Sequence, residues 1–305
     1  MHDYWGREWS RAFQLETLAS AIEGCARRKQ DRFIAASIQH QLGPSPLVSA
    51  QFELVQESRH QLIFRIRAVN SRKKRGSFRL VTAKNHTEFS RVTVREFRHL
   101  QWLYERIPNL VVEPLKGERI FLPDRHKRKE KGRTLFAYVT RWPTGFQELG
   151  IRRDLRFTKN VDTPVTFDQD IDEAIKRRIV EIIIRTYDAR QHTCIELPRV
   201  TSGDFVVAHQ GSGQPRLKLV SCRRLITNAT PERLLHSVLT GSWKWGDREF
   251  NIVPSDPADV VQALNNALGK AEAKMWFDRY RTALARRRFR DAPAMPLQQL
   301  MPFFE

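Results

Sequence analysis

The feature that most constrains this chain is a change of period. From Val48 apolar residues recur at every second position, through "QFELVQESRHQLIFRIRAV" and "SFRLVTAK" to "TLFAYVTRW". From about residue 171 they recur at helical spacing, with Ile175, Ile179, Ile182 and Ile183 on one face. Period two buries one face of a strand, and period 3.6 buries one stripe of a helix. A sheet-first, helix-later order predicts an α+β chain with mainly antiparallel strands, because no repeated βαβ alternation is present.

Within the first half, strands are expected on either side of a polar turn at 57–60. The basic run "RKKRG" at 72–76 reads as a hairpin tip, and a third strand ends at Lys84. A helix is expected over about 92–107, carrying Glu96, Leu100 and Leu103 and stopped by Pro108. "RHKRKEKGR" at 125–133 reads as a solvated basic loop. Ahead of the sheet, Leu15, Leu18, Ala19 and Ile22 predict a helical segment within 6–41, ended by "GPSP". Helices are also expected at 231–240, with Thr230 as cap and Pro231 in the first turn, and over 257–288. The resulting division is 1–47, 48–145, 146–290 and a Pro-broken tail, 291–305.

The 53 Lys+Arg against 34 Asp+Glu give a net charge of +19, which favours phosphate-bearing partners. No nucleic-acid motif accompanies the charge, so an anionic glycolipid or membrane surface is the expected partner, with a protein partner also open and specific nucleic acid not expected. Solubility alone is the plainer account of the same charge. Cys25, Cys194 and Cys222 are far apart and form no C-x-x-C pair, as in a reducing cytoplasm. "MHDYWGREWSRAF" does not read as a secretory signal, and runs such as "IVEIII" are too short to span a bilayer, so membrane contact would be peripheral, at an inner face. His192, Cys194 and Glu196 read as filler more readily than as metal ligands, and Trp243 and Trp245 as a closed core edge.

Five polar residues carry the chemistry. Lys84 ends "VTAK", and Glu96 follows on the next helix. Further on comes "SGDFVVAHQGSGQPRLKLVSCRR", with Asp204, His209 five places later and Ser221 seventeen later. Taken singly, Lys84 is a solvated strand end and Glu96 a surface charge. In this order they resemble a protein kinase: strand lysine, helix glutamate, catalytic Asp, a metal-binding residue five on, then a hairpin and a metal-binding Asp. A histidine at the fifth place, with "VSCRR" ending in Arg224, is similar to the bacterial lipopolysaccharide core heptose kinase family over roughly residues 48–285.

The resemblance implies a bilobal protein-kinase-like fold, with an antiparallel N-lobe sheet carrying one helix and a mostly helical C-lobe, preceded by an extra helical segment. It implies ATP with Mg²⁺ or Mn²⁺ if the protein is active. Asp204 would be catalytic, Lys84 and Glu96 would bind the nucleotide, and His209 with Ser221 would hold the metal. A second registration makes Asp204 the metal-binding residue and puts Arg199 in the catalytic place. Three departures from the family pattern stand out: Ser202 and Gly203 precede Asp204, no Gly-rich loop appears, and neutral Ser221 replaces a carboxylate. That last loss removes a full negative charge from the metal position. The implied function is a pseudokinase or divergent kinase linked to lipopolysaccharide or glycolipid. The alternative is an active phosphotransferase on a sugar hydroxyl of the lipopolysaccharide core.

Overall fold

The computed structural model describes residues 33–304 apart from 58–59, 85–86, 123–132, 152–155, 160–164, 198–199, 210–212, 246–247, 287, 290–292 and 294. The basic loop expected at 125–133, Arg199 and most of the helical segment expected within 6–41 thus lie outside the described residues. The chain is α+β, with antiparallel sheets and most helices in the later part. It divides into two units, one of residues 1–97 and 114–143, the other of 98–113 and 144–305.

The first unit is built on a five-stranded antiparallel sheet in the order β1-β2-β3-β5-β4. Its strands are β1 (Leu47–Glu57), β2 (Gln61–Asn70), β3 (Arg75–Ala83), β4 (Pro114–Leu122) and β5 (Arg133–Arg141). Alternation sends Leu62, Phe64, Ile66, Phe78, Leu80 and Val139 to one face, where helix α1 (Phe33–Leu42) lays Phe33, Ile34, Ile38 and Leu42 against them. Each such side chain, fully buried, contributes roughly 1.5–3 kcal/mol. This packing makes α1 part of the first unit's core. The other face meets α2 (Thr87–Arg106), which starts five residues earlier than its periodicity suggested and whose Phe97 packs on Phe136 and Tyr138.

The second unit was expected to be mostly helical. It also carries a five-stranded antiparallel sheet, β11-β10-β6-β7-β8, from β6 (Gln147–Ile151), β7 (Phe157–Lys159), β8 (Val165–Thr166), β10 (Phe205–Ala208) and β11 (Arg216–Leu219). The short β9 (Cys194–Ile195) and β12 (Leu225–Ile226) pair with each other, and β13 (Ser242–Trp245) with β14 (Arg248–Asn251). Helix α3 (Gln169–Arg185) buries the isoleucines read from the sequence and packs on β11 and α5. Thr230 does cap α4 (Pro231–Leu239), accepting from the Arg233 N–H at 3.4 Å. Two helices follow, α5 (Pro257–Leu268) and α6 (Lys270–Ala285), broken at Gly269. Its φ of 82° is a left-handed value that glycine adopts without steric cost. A final turn, α7 (Leu297–Leu300), stands near the C-terminus. No helix among the described residues is long and apolar enough to cross a membrane.

Helix α3 ends at Arg185, and just beyond it Asp188 closes a turn. Its carboxylate accepts the Arg190 and Gln191 N–H groups at 2.8 and 3.2 Å and pairs with Arg106 at 2.6 Å. Burial pushes its pKa up, but the two backbone bonds and the Arg106 charge outweigh burial and hold it below the usual carboxylate range. A depressed folded-state pKa stabilises the fold above the unfolded value, near pH 4, and that stability is lost as pH falls through the folded value. Asp188→Asn is expected to lower the urea midpoint at neutral pH. It should also flatten the decline between about pH 5 and pH 3. An unchanged acid limb in the variant would remove Asp188 from this role.

Candidate functional site

Of the residues singled out in the sequence, Glu96 lies in a polar network of the first unit, and Asp204 and Ser221 lie at one hairpin end of the second. In the first unit, strand phase decides which side chains can meet. Register pairs Gln61 with Ala83, Arg65 with Arg79, and Val81 with Tyr138. These residues therefore share one face of the sheet. Glu96, fully buried, accepts from the Gln61 side-chain amide and from the Tyr138 hydroxyl, the latter at 2.7 Å. Arg79, itself buried on the same face, also acts on the Tyr138 hydroxyl and opposes the effect of Glu96. Burial raises the Tyr138 pKa well above its ordinary value, and the neighbouring Glu96 charge adds to the rise.

Lys84 follows β3 one residue after Ala83, out of phase with Arg79 and Val81. It is half-buried, and its backbone N–H donates to the His60 carbonyl at 2.8 Å. Among the described residues, an ion pair with Lys84 is not one of the contacts Glu96 makes. The arginine that shares the Glu96 network is Arg79, which the sequence reading did not single out. Its signal was present: an arginine inside "SFRLVTA", in phase with Val81 and Ala83, on what becomes a central strand. The same face continues to Arg65, whose guanidinium lies 5.0 Å over the Trp142 ring. Burial, with the nearby Arg67 charge, lowers the Arg65 pKa. Arg65 Nε, Thr140 Oγ1 and Trp142 Nε1 are buried without hydrogen-bond partners among the described residues.

In the second unit, Asp204 ends a 3-10 turn, Ser202–Asp204, directly before β10. Its Oδ2 accepts from the Thr201 N–H at 2.8 Å and from the Thr201 hydroxyl at 3.0 Å, closing a capping box. The hairpin register pairs Phe205 with Leu219 and Ala208 with Arg216, and Val220 N–H donates to the Asp204 carbonyl at 2.8 Å. This brings Ser221, buried, to the Asp204 end of the hairpin. The chain then runs on through Arg223, which places its guanidinium 3.4 Å from Asp204 Oδ1. Arg224 pairs with Glu196 at 3.2 Å, and the Cys222 carbonyl lies 3.0 Å from His99 Nδ1. Asp204 is almost fully buried, whereas the Arg223 side chain is about half exposed (47%).

His209 is at the other end. At about 3.3 Å per residue, five extended residues set it roughly 16 Å along the strand from Asp204. There it meets the Phe167 ring edge-on, with Nδ1 buried and unpartnered among the described residues. The structure thus places Asp204 and Ser221 at the same end of the hairpin and His209 at the other. No group of three or more potential metal-ligating side chains converges among the described residues. The donors at the Asp204 end are one carboxylate already facing a guanidinium and one neutral hydroxyl. Mg²⁺ prefers several hard anionic oxygens, and Arg223 would repel it, so the residues present do not fit a divalent metal.

No protein-family model matches the chain, and no curated protein matches it significantly.

Proposed function

We propose that the chain is a bilobal kinase-like protein of the bacterial envelope that works as a pseudokinase. It would bind an anionic glycolipid or a protein partner at the inner membrane surface without metal-dependent turnover. One observation carries the reading: Arg223 lies 3.4 Å from the buried Asp204 carboxylate, at the hairpin end that also holds neutral Ser221. Phosphoryl transfer in kinases depends on metal ions that bridge the phosphates and are held by paired protein ligands. Here an arginine places positive charge next to the carboxylate instead.

The kinase-like part of the proposal is supported by order. A turn bearing a buried aspartate, a hairpin and then Ser221 follow one another as they do in the kinase pattern. The hairpin begins at Phe205, so Asp204 occupies the place just before it. That favours the second registration, in which Asp204 is the metal-binding residue and Arg199 falls in the catalytic position. An arginine there supplies no base, which strengthens the non-catalytic reading.

The test is a thermal-shift titration with ATP alone, with Mg²⁺ and with Mn²⁺. The expected result is no metal-dependent rise in Tm. A ligand at 100 times its Kd would stabilise by about 2.7 kcal/mol, so a real metal-nucleotide site would be visible. A saturable Mg²⁺-dependent rise would overturn the proposal and favour the active phosphotransferase, acting on a sugar hydroxyl of a lipopolysaccharide core. The retained carboxylate of Asp204 is what favours that second reading. Transfer of labelled phosphate to lipopolysaccharide would establish it.

A further inference from the structure

The second unit carries a charged groove that the preceding reading does not use. It is shallow, about 620 Å³, and follows the solvent side of α6 from Ala271 to Arg286, beside Glu232 of α4. Fifteen residues of helix at 1.5 Å each make this stripe about 22 Å long. Lys274, Arg279, Arg286 and Arg288 line it, against the carboxylates Glu232 and Asp278. Asp278 pairs with Arg281 at 3.3 Å, and Glu232 sits in the first turn of α4, where the helix dipole favours negative charge. Among the described residues Arg279, Arg286 and Arg288 form no salt bridge, so an excess of positive charge faces outward.

Apolar side chains accompany this charge. Met275 lines the groove and is 43% exposed. On its Lys274 side the groove is bordered by the C-terminal segment: Lys274 donates to the Phe304 carbonyl, and Phe304 stacks on Phe277 at 4.5 Å. Phe303, next in the chain, is left 50% exposed. Few large apolar side chains are so exposed among the described residues, and two of them lie on or beside this one stripe.

We propose that this face of α6, with the C-terminal Phe303, is a docking surface for an anionic lipid bilayer. Arginine and lysine attract phosphate head groups, and exposed Met and Phe enter the boundary between head groups and acyl chains. A nucleic-acid strand fits less well. Its phosphates are spaced along a fixed backbone and would meet Glu232 and Asp278 within the stripe, whereas fluid lipids arrange themselves around those carboxylates. The inference stands on the second unit's surface alone and is independent of nucleotide binding.

The experiment is flotation of the full chain with phosphatidylcholine vesicles, with and without phosphatidylglycerol, from low to high salt and without nucleotide. The wild type is expected to bind only the anionic vesicles, with affinity that falls as salt screens the charges. At about 1 kcal/mol per basic residue, Arg279→Glu, Arg286→Glu and Arg288→Glu together should weaken binding at least 100-fold. Met275→Ser with Phe303→Ser should reduce the binding that survives at high salt. Circular dichroism and Tm would establish that each variant is folded, and the triple Arg→Gln variant replaces the charge reversals if they are not. Equal binding to neutral and anionic vesicles overturns the proposal, as does wild-type-like binding by the folded triple variant. So does a result in which Arg72→Glu with Lys74→Glu, in the first unit, costs as much as the triple change. Loss of single-stranded RNA binding by the triple variant, with vesicle binding unaffected by the serine changes, would assign the groove to nucleic acid instead.

Discussion

Glu96→Ala is expected to destabilise the first unit by about 3–5 kcal/mol, the cost of removing one member of a buried charged network. The carboxylate is fully buried and holds Gln61 and Tyr138, and Arg79 reaches the same tyrosine hydroxyl. Truncation leaves the Tyr138 donor, the Gln61 amide and the Arg79 charge in a cavity that water does not readily fill. Glu96→Gln keeps an acceptor for Tyr138 but removes the charge, so a smaller loss is expected, about 1.5–3 kcal/mol. Glu96→Leu combined with Arg79→Met should recover much of the stability, since well-packed apolar replacements of buried ionic groups are often neutral. Urea unfolding of these proteins, together with the Glu96→Leu and Arg79→Met single variants, measures all of this. A Glu96→Ala midpoint equal to that of the wild type would show that the network contributes nothing to stability, and non-additivity in the double variant would measure the coupling that runs through Tyr138.

The network also explains how far the first unit could be read from its sequence. Period two in "QLIFRIRAV" and "SFRLVTA" announces the strands, and the structure pairs them without a slip from Gln61↔Ala83 to Val69↔Arg75. Phase is harder to read. Whether Lys84 or Arg79 faces Glu96 depends on which face of β3 the helix covers, and a one-residue shift exchanges the two. The motif "VTAK" drew attention to the lysine. The buried arginine five residues earlier was hidden among so many basic residues.

The second unit shows a different limit. The α3 isoleucines, the Thr230 cap and the Gly269 break all leave local signals that survive folding. β6, β7 and β8 do not: they are five, three and two residues long, too short for alternation to develop, and their pairing is settled by contacts distant in sequence. His209 lies apart from Asp204 for a related reason. Spacing from Asp204 is informative only if the intervening residues form a loop. "FVVA" is an apolar run of β-prone residues, and as a strand it carries His209 away from the aspartate instead of folding it back. Ser221 returns to Asp204 because the antiparallel hairpin brings the chain back. The partner that gives this end its charge, Arg223, lay within the quoted "VSCRR" but was not assigned a role.

Building a metal site at this end requires two changes. Ser221→Asp alone adds a carboxylate at the Asp204 end of the hairpin, but Arg223, two residues further on, would offset the charge intended for the metal. Arg223→Ser alone frees Asp204 but leaves one carboxylate and a hydroxyl, too little negative charge for Mg²⁺. The double variant Ser221→Asp/Arg223→Ser presents two carboxylates without a competing cation. Each gain is on the scale of one charge-assisted contact, about 1.5–3 kcal/mol. Mg²⁺-dependent ATP binding in the double variant is therefore expected to exceed that of either single variant by at least about 10-fold, by isothermal titration or thermal shift. Mn²⁺ should behave like Mg²⁺, because His209, some 16 Å away along the strand, adds no imidazole ligand. A marked preference for Mn²⁺ abolished by His209→Ala would mean that the hairpin rearranges on binding. Equal, metal-independent behaviour in all four proteins would mean that Arg223 is not what keeps a metal from Asp204, and the reading of this end as a kinase metal site closed by an arginine would fail with it.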